Sequence, residues 1–221
     1  MDSNEISFEF EKTESEIEKR AAVNRLFEIY KNNVCAAVLP DNAGGYSFVN
    51  GFGNAGSSVV LIGEAPGKDE VLQGRPFVGQ AGKILTHFLA GAGIERNDLY
   101  ITNLIKYRLA RAGKRPGTLA NRPAASKEIS FSSQYLKKEI GIISPRVIVT
   151  LGNVPLKGVD LAYDCGGLTL SESHGKLLKI VEETPLYLFP MYHPASTIYR
   201  PELNAVYEDD LKLFGEALRE I

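Results

Sequence analysis

The chain has 221 residues, a net charge of −2 from 25 basic and 27 acidic side chains, 44% hydrophobic content and 24% charged content. This composition suits one globular domain with a sizeable core and excludes a disordered or fibrous chain. No apolar run is long enough to span a bilayer and the acidic amino terminus is no secretion signal, so no membrane partner and a cytoplasmic location are expected. Two cysteines, Cys35 and Cys165, cannot build a disulfide framework or a four-cysteine metal site. The balanced charge neither marks nor excludes a nucleic-acid binder, which needs only a local basic surface.

The first twenty residues are rich in Glu, Asp and Ser. They read either as a solvated tail or as the start of a helix running to Asn32, so residues 1–25 are set apart as an acidic tail or helix before a domain at 26–221. From Cys35 to Ser58 the composition turns to Gly, Asn and Ala, an irregular lead into the first core strand. Val59-Val60-Leu61-Ile62 reads as that strand, being short, apolar and closed by Gly63. The turn Gly63 to Gly67 follows, with Glu64 directly behind the strand. A second glycine-rich turn carries Phe77. An amphipathic helix is expected from about Gln80 to Gly91. Gly63 and Gly67 would let a ligand approach the backbone, and amides there are candidates for holding an anion. The Gly-Lys-Ser/Thr ending of a P-loop is missing, which argues against a nucleoside triphosphate.

Leu99 to Thr102 reads as the second strand, with Asn103 at its end. Between Lys106 and Lys127 lie Arg108, Arg111, Lys114, Arg115 and Arg122 with no acidic residue among them. This Gly- and Pro-containing stretch is either an ordinary solvated loop or a phosphate-contacting one, whose affinity would fall steeply with salt. Ser126 to Ile143 is an amphipathic helix with a stripe of Ile129, Leu136, Ile140 and Ile143. Val147 to Leu151 is the third strand, and a helix through Leu156 and Leu161 follows it. Residues 165–173 read as loop. Leu177 to Val181 and Leu186 to Met191 are strands, the latter leading into Tyr192-His193-Pro194-Ala195-Ser196. A last helix spans about Glu202 to Leu218. Alternating strands and helices predict a mainly parallel sheet covered on both faces. Glu64, Asn103 and His193 then lie past the ends of three strands, along the one sheet edge where open α/β folds bind ligands.

Three motifs, GEAPGKDEVLQGRPFVGQAG, YITN and YHPAS, together resemble the family 4 uracil-DNA glycosylases, over about Leu26 to Phe214. The resemblance implies a three-layer α/β/α sandwich around a four-stranded parallel sheet. It implies that uracil-containing DNA is the partner of a monomeric, monofunctional enzyme, and that the base is flipped into a pocket because its bond is inaccessible in the stack. Phe77 would stack on uracil, and Asn103 would read its Watson–Crick edge. His193 would donate to O2 as negative charge grows there, helped by amides of the Gly63–Gly67 turn. Glu64 would either orient the attacking water or favour the cationic sugar. Related sequences place a carboxylate one position later, where this chain has Ala65. Glu70 would lie near C5 of the base, where thymine is rejected. Lys106, Arg108, Arg111, Lys114, Arg115 and Ser196 are the expected DNA contacts, and the segment 195–200 would approach the minor groove, with Ile198 the one candidate wedge.

The family is usually an iron–sulfur one. Its four cluster cysteines map to Cys35, Val38, Tyr107 and Ser132, so one of four ligands remains and no cluster or other cofactor is expected. Extra residues around Arg111 to Leu119 remodel the family's basic Pro-rich contact. Two further readings stand beside the glycosylase: a non-catalytic DNA- or nucleobase-binding member, and a glycosylase for another deaminated base such as hypoxanthine or xanthine.

Overall fold

A computed structural model describes residues 14–220 apart from 38, 41 and 44. The expected acidic tail before residue 14 and the cluster position Val38 lie outside the described residues. Helix α1 (Glu14–Ala36) takes up the second half of the acidic segment and buries Val23, Tyr30 and Val34. A two-residue strand β1 (Phe52–Gly53) precedes β2 (Val59–Gly63). Helix α2 (Lys68–Gln73) and helix α3 (Gln80–Gly91) follow. A 3-10 turn (Arg96–Asp98) leads into β3 (Tyr100–Asn103). Strands β4 (Ala110–Ala112) and β5 (Leu119–Asn121) form a separate antiparallel hairpin. Then come α4 (Ser126–Ile143), β6 (Val147–Leu151), α5 (Asn153–Tyr163) and α6 (Leu170–Ser173). Strands β7 (Leu178–Val181) and β8 (Leu186–Met191), the short α7 (Ser196–Tyr199) and α8 (Leu203–Glu220) complete the chain.

The central sheet has the order β1-β3-β2-β6-β8-β7. Its four inner strands are parallel, as expected, and β1 and β7 add antiparallel edges. The inner strands are almost wholly buried because helices cover both faces, and side chains alternate between those faces. Val60, Ile62 and Ile148 pack with Tyr30, Leu136, Ile140 and Leu156 on the side of α1, α4 and α5. Val59, Leu61, Val147 and Val149 pack with Leu85, Leu89, Leu211 and Phe214 on the side of α3 and α8. The α4 stripe expected from spacing, Ile129, Leu136, Ile140 and Ile143, is buried throughout.

The chain passes from β2 outward to β3 and then back across to β6, so the strand order reverses beside β2. Such a reversal opens a crevice at the carboxyl ends of the strands. The backbone after β3 is stitched across it: Leu104 N–H donates to the Gly63 carbonyl at 2.9 Å and Ile105 N–H to the Glu64 carbonyl at 3.0 Å. The ends of β2 and β3 therefore form one unit. No described helix is long and apolar enough to cross a membrane.

Candidate active site

A cavity of about 340 Å³ opens over these strand ends. That lies at the lower end of the roughly 300–1,000 Å³ typical of small-molecule sites. Glu64, Ala65, Gly67, Glu70, Phe77, Asn103 and His193 all line it. Gly63 does not. It is buried below the floor, where an added Cβ would meet Asn103 Oδ1 and lie 2.6 Å from two ring carbons of Phe77. The close approach that this glycine permits is thus made by the protein's own ring and amide, not by a ligand.

Phe77 has φ +54°, a left-handed conformation that is costly for an aromatic residue. The surroundings fix it from several sides. Gly82 lies against the Phe77 carbonyl, where any Cβ would collide. Arg96 donates through Nη2 to the carbonyls of Pro76 at 3.2 Å and Phe77 at 2.9 Å. Glu70 accepts from the N–H groups of Val78 at 3.1 Å and Gly79 at 2.8 Å. Its other oxygen accepts from Gly67 N–H at 3.1 Å, closing the start of α2 as the acidic half of a capping box. Glu70 therefore clamps both glycine-rich turns together. This also narrows the expected anion site in the first turn: Gly67 N–H is bound to Glu70, and Pro66 has no N–H.

Asn103 ends β3 and is buried, yet no hydrogen bond to its side-chain amide occurs among the described residues, so the amide faces the cavity with its capacity open. His193 follows β8, with its ring centroid 6.1 Å from that of Phe77. Ala195 N–H donates to His193 Nδ1 at 3.1 Å. Burial holds the imidazole below its ordinary pKa, and the Glu70 charge only partly opposes this. A neutral ring that accepts at Nδ1 carries its proton on Nε2, so His193 is a fixed donor there. Gly152 (φ +106°) lets the backbone after β6 pass beside it, 3.3 Å from an added Cβ to His193 Cβ. Burial raises the pKa of Glu64, and the nearby backbone of Ala124 partly offsets the shift.

Lys106 is a correction. It is buried and cannot reach a phosphate. Its Nζ donates to Thr102 Oγ1 and to the Asn103 carbonyl, both at 2.6 Å, and pairs with Glu139. The turn after β3 folds this side chain back beneath the sheet, where three acceptors match its three donors. Arg111, Lys114 and Arg115 are exposed on the β4–β5 hairpin, and Arg108 is half-buried with Nε 3.2 Å from Asn121 Oδ1. Ser196 donates its hydroxyl to the His193 carbonyl at 2.6 Å and so steadies that turn. Ile198 and Tyr199 are exposed in the segment behind it.

Sequence reasoning missed Arg96, Leu109 and Asn121; Arg122, named there only within the basic stretch, joins Leu109 and Asn121 in bringing the hairpin's base into the cavity wall. An Arg-Pro-Gly turn between two short segments was the available signal for that hairpin. At Cys35, Tyr107 and Ser132, three of the four positions to which the resemblance maps the cluster ligands, one residue is a thiol and the other two are engaged in hydrogen bonds within the protein. Cys35 is exposed on α1. Tyr107 is buried and donates to Glu128 Oε1 at 2.6 Å, and Ser132 shares a 3.0 Å hydrogen bond with Tyr30. Arg122 grips both oxygens of the same Glu128 at 2.7 and 2.8 Å. Among the described residues no three His, Cys, Asp or Glu side chains are grouped to hold a metal ion.

An open α/β crevice lined by a carboxylate, an aromatic ring, an open amide and a fixed imidazole donor defines a site for a flat polar heterocycle. The profile of the uracil DNA glycosylase superfamily matches residues 50–220. The chain is 38% identical over 171 residues to a type-4 uracil-DNA glycosylase of Archaeoglobus fulgidus, covering 77% of this chain and 81% of that one. It is 36% identical over 170 residues to that of Sulfurisphaera tokodaii (76% and 73% covered) and 35% identical over 172 residues to that of Saccharolobus solfataricus (77% and 76%). The chain belongs to the uracil-DNA glycosylase superfamily, and within it to the type-4 family.

Proposed function

We propose that this chain is a monofunctional uracil-DNA glycosylase, hydrolysing the N-glycosidic bond of a uracil flipped out of DNA as the first step of base excision repair. The observation that carries this reading is the meeting of Glu64, Phe77, Asn103 and His193, from four separate segments, around one cavity. Phe77 supplies a stacking face. The open Asn103 amide accepts from uracil N3–H and donates to O4. Cytosine presents the opposite pattern there and would leave buried groups unpaired, which discriminates strongly.

As the bond between C1′ and N1 lengthens, its electron pair moves onto the base and charge grows on O2. His193 Nε2–H stabilises such an anion and, as the donor of a neutral ring, need not titrate to do so. The sugar becomes cationic and water adds to C1′. Glu64 takes the proton that this water loses, a role its raised pKa favours. The exposed Arg111, Lys114 and Arg115 hold phosphates of the strand beside the flipped nucleotide, since their hairpin rises from the cavity wall. The protein works without an iron–sulfur cluster, because Tyr107 and Ser132 are tied into protein hydrogen bonds. Iron and acid-labile sulfide in protein purified without oxygen would overturn that part.

Release of free uracil from single- and double-stranded uracil-containing oligonucleotides tests the main claim. Purified protein should release it with multiple turnovers. No release across a range of salt concentrations, with uracil-DNA still bound, would instead establish a binding protein.

A further inference from the structure

We propose that Arg96 is a positioning residue for base cleavage, holding Phe77 in the left-handed conformation that turns its ring into the cavity. The inference rests on the stacking role given to Phe77 above. A residue at φ +54° without glycine's freedom relaxes unless its surroundings forbid it. Glu70 and Gly82 act on the residues that flank Phe77 and on the space around it. Among the described residues, Arg96 alone donates a side-chain hydrogen bond to the Phe77 carbonyl itself.

The Arg96 guanidinium works as a fork. Nη2 joins the carbonyls on both sides of the strained residue. Nη1 donates to Thr86 Oγ1 at 3.0 Å and reaches the Gly82 carbonyl at 3.5 Å, which anchors the fork to α3. A planar, always-charged fork with several donors suits this task, and a lysine ammonium does not. Arg96 also begins the segment that ends seven residues later in Asn103. One short stretch thereby sets the ring that stacks on the base and the amide that reads it. Half of the fork grips α3 and half grips the two carbonyls that flank the Phe77 Cα, so it ties the strained residue to a fixed helix.

The test is a double-mutant cycle with a separate structural readout. Arg96→Ala should slow single-turnover uracil release roughly a hundredfold, the loss expected for a misplacement of about 1 Å. Its affinity for uracil-free DNA should not change. In a Phe77→Ala background the same Arg96→Ala change should cost less than about twofold, because the ring it positions is gone; independent losses that simply multiply would overturn the proposal. Arg96→Lys keeps charge and stem, guards against a folding failure, and should recover the melting temperature but under a tenth of the rate. Full recovery by lysine would refute the fork. Carbon-13 backbone shifts of Phe77 report the sign of φ whether or not the protein cleaves DNA. They should leave the left-handed range in Arg96→Ala, and unchanged shifts would overturn the inference. Failure of wild-type protein to release uracil would count against the glycosylase reading, and the shift measurement would still decide the positioning of Phe77.

Discussion

Replacing Gly63 by alanine places a methyl carbon 2.6 Å from Phe77 Cε2 and Cζ and against Asn103 Oδ1. Carbon atoms prefer about 3.5–4.0 Å. The ring must therefore retreat by about 1 Å or the strand must bend, and the strand is bonded on both sides to β3 and β6. Gly63 is not among the residues with positive φ, so its backbone accepts alanine and the conflict is confined to these contacts. A shift of about 1 Å in a stacking and reading pair costs roughly a hundredfold in rate, which is about 2.7 kcal/mol of transition-state stabilisation. Overpacking should cost a further ~1–3 kcal/mol of fold stability. Single-turnover uracil release, paired with a thermal melt, measures both. A Gly63→Ala protein with wild-type melting and a rate within threefold of wild type would refute the claim that Phe77 and Asn103 act from these positions.

Other consequences follow from the charges. The proposed mechanism needs Glu64 ionised to take the water's proton, so activity should fall as pH drops through its raised pKa, above the usual carboxylate value of 4.5. His193 is held below 6.5 and stays neutral on the alkaline side, so the rate should be flat from neutral pH upward. A pH–rate profile checks this, and Glu64→Gln should remove the acid limb while lowering the rate. Lys106→Met leaves the buried Glu139 carboxylate unpaired and should destabilise the fold by about 3–5 kcal/mol in denaturant titration. Adding Glu139→Met should recover most of that loss, and a double variant as unstable as the single one would contradict the pairing. Replacing Arg111, Lys114 and Arg115 together by alanine should flatten the slope of log affinity against log salt by about 2 to 3. An unchanged slope would place the DNA elsewhere.

Much of this architecture is written in local pattern. The runs Val59–Gly63, Tyr100–Asn103 and Val147–Leu151 are apolar because helices bury both faces of the sheet, and such runs are recognisable in isolation. Chain order then places Glu64, Asn103 and His193 at one edge through the rules of parallel sheets. The missing parts depend on tertiary partners. Strand β1 is two residues long and exists because β3 offers it an edge. Helix α2 is held by Glu70, whose carboxylate also binds amides eight and nine residues away. Lys106 lies within a basic stretch and looks like a surface charge, and only the fold reveals Thr102, Asn103 and Glu139 gathered around it. Gly63 was legible as a position of close approach, but the sequence held no sign that the approaching groups were Phe77 and Asn103. Arg96 resembles any exposed arginine before a strand, because the strained carbonyl it serves lies nineteen residues back.

The most direct measurement is a crystal structure of the protein with free uracil bound. The account requires the base to lie on the Phe77 ring, with N3 and O4 at the Asn103 amide and O2 at His193 Nε2. Uracil bound away from Asn103 and His193, or a cavity closed by the protein's own side chains when the base is present, would contradict it.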